Sequence, residues 1–380
     1  MSVVEVRVPG TAERGYSVIV EPGGLVRLGE LCAERAPAHR YAVIADSRVA
    51  QLYGGAALAA LASAGLDADL LPFPAGEWNK SREAWAELSD AMLARGLGRD
   101  AVVVALGGGV TGDLAGFVAA TFMRGVPVVQ VPTTLLAMLD SSVGGKTGVD
   151  THAAKNAIGA FHHPELVLVD PALLATLPPF QRRSGLAEGV KVAAMRDAQL
   201  FGWIEQRAAG LAGGEPTAVA GLIERGVALK AEVVAEDPLE CGTRAILNFG
   251  HTVGHALESL SGFSLLHGEA VALGMWLEAR VGESLGITEE GTAGRLRAVL
   301  AACGLPEEID PDWTARAILE AARPDKKARG GEPKWALPAR IGAAALDAEG
   351  RPTHAIPAGT CARVLAAALR SASEVPDSPA

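Results

Sequence analysis

The chain has 380 residues, 49% of them hydrophobic, and a formal charge of −10. That length and apolar content suffice for two domains, each with its own core, and no window approaches the roughly 18 unbroken apolar residues of a membrane span. The acidic balance and the lack of a long basic run argue against nucleic acid as partner, because phosphate neutralisation needs clustered Lys and Arg.

The opening stretch, Met1-Ser2-Val3-Val4-Glu5-Val6-Arg7, lacks the basic-then-apolar layout of a secretory signal, so a cytoplasmic location is expected. Four scattered cysteines (Cys32, Cys241, Cys303, Cys361) form no Cys-x-x-Cys pair and suggest reduced thiols rather than a disulfide framework. In the first half, β-rich runs at Tyr41–Ala45, Ala101–Leu106, Val126–Val131 (interrupted by Pro127) and Leu166–Val169 alternate with helical patterns, the grammar of a parallel α/β sheet. After Pro178-Pro179 long Ala/Leu/Glu/Arg segments take over, at Thr217–Val234, Gly268–Leu285 and Gly291–Ala302. The expected fold is therefore an α/β, Rossmann-like nucleotide-binding domain over residues 1–178, then a mostly α-helical metal-binding domain over 179–370. Residues 371–380 are expected to form a disordered tail. The Pro-Pro pair is the expected boundary because it can neither continue a helix nor sit in a central strand.

Gly107-Gly108-Gly109-Val110-Thr111-Gly112-Asp113 follows the strand ending at Leu106 and opens a helical run, Leu114–Ala120. Glycines there let backbone approach phosphates, and the helix start offers amide donors, so a nucleotide pyrophosphate is expected at this turn. The spacing is not Gly-x-Gly-x-x-Gly, and a plain structural turn would look the same. Asp46 after one strand and Thr133-Thr134 after another lie where open α/β sheets bind ligands. Asp140–Val149 resembles a Walker loop through Gly144-Gly145-Lys146-Thr147, but Asp140 stands where that loop needs its first glycine. Lys146, Lys155-Asn156 and Arg124 instead supply donors suited to a substrate phosphate or carboxylate.

Glu188, the pair His251 and His255, and His267 lie in three separate stretches. Imidazoles four residues apart share one helix face, and a carboxylate with a third imidazole could complete a divalent-metal shell with an open position. A His-x-x-x-His pair alone equally describes core histidines with satisfied nitrogens. Lys191 three residues after Glu188, and Arg244 with Asn248 before His251, add cations and an amide to the set.

Together these blocks resemble the 3-dehydroquinate synthase family of sugar-phosphate cyclases, from about Asp46 to Gly342. The matching motifs run in the family's order: Gly107–Asp113, Pro132–Leu136, Asp140–Gly148, Lys155-Asn156, Gly185–Glu188, Arg244–His255, His267–Ala270 and Asp325-Lys326-Lys327. The resemblance implies NAD held by Asp46, Glu77, Lys80, Gly108, Gly109, Asp113, Thr133, Thr134, Asp140, Lys146, Lys155 and the stretch Leu173–Thr176. It implies zinc or cobalt on Glu188, His251 and His267, with His255 as a proton-transfer residue. Lys146, Asn156 and Arg124 would bind substrate phosphate, Arg124 reaching across from a partner in a homodimer. Lys230, Arg244, Asn248 and Lys326 would fix the substrate carboxylate, and Lys191 and Glu240 would line the same cavity. The implied reaction converts 3-deoxy-D-arabino-heptulosonate 7-phosphate to 3-dehydroquinate and phosphate. Sibling cyclases on related sugar phosphates, including an amino-dehydroquinate synthase, differ in the carboxylate pocket, and a metal-dependent polyol dehydrogenase would not need the phosphate cluster.

Overall fold

The computed structural model describes residues 1–7, 15–151, 155–322 and 333–373. Its contacts divide the chain into two compact units, one of Met1–Pro178 with Val219–Leu239, the other of Pro179–Ala218 with Glu240–Ala380.

The first unit is built on a seven-stranded sheet. Its strands are β1 (Ser2–Val6), β2 (Tyr16–Val20), β3 (Arg40–Asp46), β4 (Ala68–Phe73), β5 (Ala101–Gly107), β6 (Val128–Pro132) and β9 (Leu166–Val169), in the order β1-β2-β9-β6-β5-β3-β4. A separate hairpin pairs β7 (Lys146–Val149) with β8 (Ile158–Phe161). All sheet pairings are parallel except β1 with β2. Inner strands β5, β6 and β9 are buried along their whole length, so they are rich in Val, Leu and Ala on both faces rather than alternating, with Gln130 the polar exception in β6. Edge strand β4 carries Pro72, tolerated where no further strand needs its missing N–H. The run expected from Val126 begins as a strand only at Val128. The Val126 amide bonds to the Ala119 carbonyl, and Pro127 has no N–H, although its carbonyl accepts from Val103.

Helices α1 (Leu28–Arg35), α2 (Ser47–Val49), α3 (Gly55–Ser63), α4 (Arg82–Ala94) and α5 (Gly109–Thr121) accompany the sheet. Leu88 and Met92 of α4 and Leu114 and Val118 of α5 join Ile44 and Val103 in one core cluster. Helix α5 starts five residues earlier than its apolar periodicity suggests, because Gly109 to Asp113 form its first turns.

The second unit holds α6 (Pro179–Arg196), α7 (Ala198–Gly213), the start of α8 (Pro216–Glu236), then α9 (His251–Leu260), α10 (His267–Ser284), α11 (Thr292–Ala302), α12 (Ala315–Ala321) and α13 (Ala358–Ser373). Two short ladders pair Lys334–Trp335 with His354–Ala355 and Pro338–Arg340 with Ala343–Ala344. Two expectations are corrected here. Residues 179–370 do not form one helical domain: α8 from Val219 onward packs in the first unit, where Lys230 Nζ meets Asp140 Oδ1 at 2.6 Å and Glu224 accepts from Ser2. Periodicity reveals an amphipathic helix but not the body that receives its apolar face. The segment expected as a tail from residue 371 also begins helical, since α13 continues to Ser373, with Arg370 in its last turn complementing the negative end of the helix. Residues 374–380 lie outside the described residues.

Candidate functional site

In the first unit, β5 runs into Gly107-Gly108-Gly109, and α5 opens at Gly109. A Cβ on Gly107 would stand 2.3 Å from Thr111 Oγ1, and one on Gly108 would stand 3.0 Å from Thr134 Cγ2, so the turn is as tight as its glycines allow. Farther along α5, a Cβ on Gly116 would stand 2.5 Å from Thr147 Cγ2, which brings the helix close against β7. The Thr133 amide donates to the Gly107 carbonyl at 2.8 Å, tying the ends of β5 and β6 together, while Thr134 Oγ1 accepts from the Ala137 amide. Asp46, the last residue of β3, receives the Arg48 and Val49 amides on Oδ1 and so starts α2. The Pro171–Thr176 turn is pinned by the Tyr53 hydroxyl, which donates to the Leu173 carbonyl and lies 2.6 Å from Thr176 Oγ1.

A charged network reaches the first turns of α5 at Asp113. Lys80, 4% exposed, donates to Asp113 Oδ2 at 3.2 Å and to Asn156 Oδ1 at 2.6 Å, and lies 3.7 Å from Asp150 and 3.5 Å from Glu77. Lys155 Nζ approaches Glu77 at 3.8 Å. Burial disfavours the Lys80 ammonium, yet Asp113, Glu77 and Asp150 outweigh it and leave the pKa raised. Burial pushes the Asp113 carboxyl up to about 6 against the pull of Lys80. Asp150 was not anticipated from sequence: its Oδ1 accepts the Asn156 amide at 2.7 Å and its own amide donates to Lys80 O. Lys146 opens β7 and is exposed. Asp140 lies in the one-turn π-helix Ala137–Ser141, its carboxylate and carbonyl both receiving the buried Lys230 ammonium.

In the second unit, Glu188 of α6, His251 of α9 and His267 of α10 bring their ligand atoms within 4.8 Å of one another. Glu188 Oε1 is 3.7 Å from His251 Nε2 and 3.5 Å from His267 Nε2. Donors around a tetrahedral ion with bonds of about 2.1 Å lie about 3.4 Å apart, so the three residues fit one divalent cation. The ring orientations agree. His251 Nδ1 is 3.2 Å from the Phe249 carbonyl, and His267 Nδ1 is 3.5 Å from Glu258 Oε1, which leaves each Nε2 turned toward Glu188. The other Glu188 oxygen meets the Lys191 ammonium one helical turn on, and both residues are 2% exposed. Burial and the nearby Lys191 hold the His251 pKa well below its usual value. Burial opposes charge on His267 too, but hydrogen bonds to Glu188 and Glu258 overcome it and raise its pKa to about 9.

Close helix crossings produce this convergence. A Cβ on Gly268 would meet the Ser184 carbonyl oxygen at 1.8 Å, and one on Gly274 would meet the Gly250 carbonyl oxygen at 2.0 Å. Glycine thus permits both the α6/α10 and the α9/α10 contacts. His255 is exposed, its ring edge-on to His251 at 5.2 Å and its Nε2 4.0 Å from Glu258 Oε2. Arg244 is buried in the Thr243–Asn248 turn, and Asn248 Nδ2 donates to Glu240 Oε1 at 2.8 Å. Lys326 lies outside the described residues.

Three of the expected site residues hold left-handed backbone: Arg124 (φ 71°), Asn156 (φ 54°) and Glu240 (φ 56°). Such strain in non-glycine residues gathers at functional sites. Glu258 escaped the sequence reading, although its place three residues after His255 and seven after His251 puts it on their helix face.

Residues 70–184 match the family profile described as 3-dehydroquinate synthase N-terminal, and residues 185–328 match 3-dehydroquinate synthase C-terminal. The chain belongs to the 3-dehydroquinate synthase family. Its relatives include the 3-dehydroquinate synthase of Symbiobacterium thermophilum, 45% identical over 87% of this chain and 93% of that protein. That of Caulobacter vibrioides is 45% identical over 88% and 92%. Among solved structures, 2-epi-5-epi-valiolone synthase from Streptomyces hygroscopicus subsp. jinggangensis, with NAD+ and Zn2+ bound, is similar at a TM-score of 0.83 and 33% identity over 97% of this chain and 99% of that one. A 2-deoxy-scyllo-inosose synthase complexed with carbaglucose-6-phosphate, NAD+ and Co2+ has a TM-score of 0.86 at 24% identity, covering 96% and 99%, and shows the shared fold.

Proposed function

We propose that the chain is a 3-dehydroquinate synthase, a carbon–oxygen lyase converting 3-deoxy-D-arabino-heptulosonate 7-phosphate to 3-dehydroquinate and inorganic phosphate in the shikimate route to aromatic amino acids. The observation that carries this reading is the meeting of Glu188, His251 and His267 from three helices in a chain that matches both halves of the family. Identity of 45% to 3-dehydroquinate synthases, against 33% to the valiolone synthase, favours this cyclase over its siblings.

Glu188, His251 and His267 would hold zinc or cobalt, and the Gly107–Gly109 turn with Lys80 and Asp113 would hold NAD, as the ligands of the valiolone synthase structure support. When bound, the metal supplies Lewis-acid polarisation of a substrate hydroxyl and NAD a reversible hydride acceptor, restored by the end of turnover. The protein's own groups serve the rest. Lys146, Asn156 and Arg124 bind the phosphate and stabilise its charge as it leaves with the C6 proton removed. Arg244, Asn248, Lys230 and Lys326 fix the carboxylate, and Glu240 orients the Asn248 amide through their hydrogen bond. Lys191 balances the buried Glu188 charge. His255, exposed beside His251, moves protons during ring opening and the closing intramolecular aldol step.

The same reading makes the enzyme a homodimer in which Arg124 completes the partner's phosphate site, supported by its exposed place on a strained turn. It also assigns the enzyme to the cytoplasm, a reducing compartment that suits its free cysteines. Among the described residues no helix is long and apolar enough to cross a membrane.

Phosphate release by the metal-loaded protein with NAD and the heptulosonate phosphate tests the reading, with absorbance of NADH and product identity followed together. Phosphate and 3-dehydroquinate without net NADH are expected. NADH accumulating with simple polyols would make it a dehydrogenase instead.

A further inference from the structure

Glu278 is fully buried on α10, in the long apolar run from Ala270 to Ala279. A carboxylate in such surroundings needs strong partners, and it finds them at the start of another helix. Its Oε2 accepts the Gly250 amide at 2.7 Å and its Oε1 the Val253 amide at 2.9 Å, and the Thr252 amide adds a third interaction. These are the first amides of α9, whose N-cap, Gly250, has no side chain to satisfy them. Glu278 therefore caps α9 from outside. Helix α9 begins with His251, and α10 begins with His267. Gly274 and Glu278, four residues apart, present one face of α10 to Gly250, the first by backbone contact and the second by hydrogen bonds. Both lie on the helix face of His267, two and three turns further along.

We infer that Glu278 is a positioning residue of the metal centre: by gripping the α9 amides from α10 it sets the spacing and direction of the His251 and His267 imidazoles. The inference rests on the metal-centre reading above. Glu278 touches no ligand atom, so its effect passes through the backbone of α9. A merely structural cap would hold the fold together equally well but would leave metal affinity unchanged once the protein is folded.

The test compares wild type with Glu278→Gln, whose amide keeps the side-chain volume but turns an NH2 group toward a backbone N–H. Zn2+ and Co2+ affinities of the metal-free full-length proteins are measured by competition with a chromophoric chelator, beside the Co2+ visible spectrum and thermal unfolding. Metal binding about 10- to 100-fold weaker than wild type, with an altered Co2+ spectrum in a folded variant, is expected. Affinity within twofold of wild type and an unchanged spectrum would overturn the inference, even if the unfolding temperature drops. If Glu278→Gln does not fold, hydrogen exchange in metal-free wild type decides. Protection of the 250–253 amides before metal is added is expected of a preformed clamp, and exchange at the rate of an open loop would overturn it. A wild type that takes up neither metal would remove the metal-centre reading itself, and the inference with it, an outcome distinct from an indifferent variant.

Discussion

Gly268 rests on the backbone of Ser184: its amide donates to Ser184 Oγ at 3.0 Å, and a Cβ on it would stand 1.8 Å from the Ser184 carbonyl oxygen. His267 precedes Gly268 and Glu188 follows Ser184 by about one turn, so this contact fixes the distance between two of the proposed metal ligands. Gly268→Ala should push α6 and α10 apart, cost about 1–3 kcal/mol of stability and weaken Zn2+ binding at least tenfold. Gly202→Ala, in the middle of α7 where a Cβ meets nothing within 4 Å, should instead stabilise by about 0.5–1 kcal/mol with metal affinity unchanged. Thermal unfolding and chelator competition on the two variants check the contrast.

Glu258 is 5% exposed and lies against His267 Nδ1. Replacing it with Gln should lower metal affinity about 10- to 100-fold, because the ring loses the carboxylate that fixes its orientation. Turnover should recover when the medium holds enough Zn2+ or Co2+ to saturate the weakened site. Failure of excess metal to restore turnover would point instead to a role for Glu258 in proton transfer with His255.

Asp113 supplies a pH signature. Its carboxyl is raised from 3.8 to about 6 in the folded chain, chiefly by burial. The folded state therefore keeps this proton after the unfolded chain has lost it, a contribution to stability complete below about pH 4 and lost as pH rises through about 6. Stability of wild type relative to Asp113→Asn should fall by about 1–3 kcal/mol across that window and then level off. Urea unfolding of both proteins from pH 4 to 7.5 measures the difference, and a flat or rising difference would contradict the assignment.

The proposed reach of Arg124 into a partner's site predicts complementation. In a two-fold dimer, Arg124→Ala mixed with Glu188→Gln and allowed to exchange subunits gives heterodimers in which one site has both its own Glu188 and an intact Arg124 from the other chain. Random reassortment should then restore about a quarter of wild-type phosphate release from two inactive parents. An arginine serving its own chain would restore none, and sedimentation of the mixture confirms that dimers are present.

Much of the fold was legible in the sequence because the inner strands are buried on both faces. Arg40–Asp46, Ala101–Gly107 and Leu166–Val169 stand within a residue of where their apolar runs place them. Edge strands Ser2–Val6 and Ala68–Phe73, half exposed and in the second case holding Pro72, carry weaker signals and were missed. Residue type and spacing singled out Glu188, His251, His255 and His267 as a group, and only the family resemblance set His255 apart from the other three. The carboxylates behind them were not legible. Glu258 reads as an ordinary helix-surface residue, and Glu278 gives only the hint of one charge inside an apolar helix. What each touches depends on helix crossings that residue spacing does not encode. Asp150 is similar, because its hold on Asn156 follows from the return of the β7–β8 hairpin.

The division of α8 has a consequence for synthesis on the ribosome. The first unit is not finished at Pro178: its last segment, Val219–Leu239, emerges only after Pro179–Ala218 of the other unit has been made. A nascent chain ending near Pro178 has Asp140 without Lys230 and Leu139 without the close approach of Gly226. This half of the protein is thus a discontinuous domain, unable to reach its native packing in simple N-to-C order. A gene cut at the Pro-Pro pair would yield an incomplete fragment, whereas a split after Leu239 would keep that half whole.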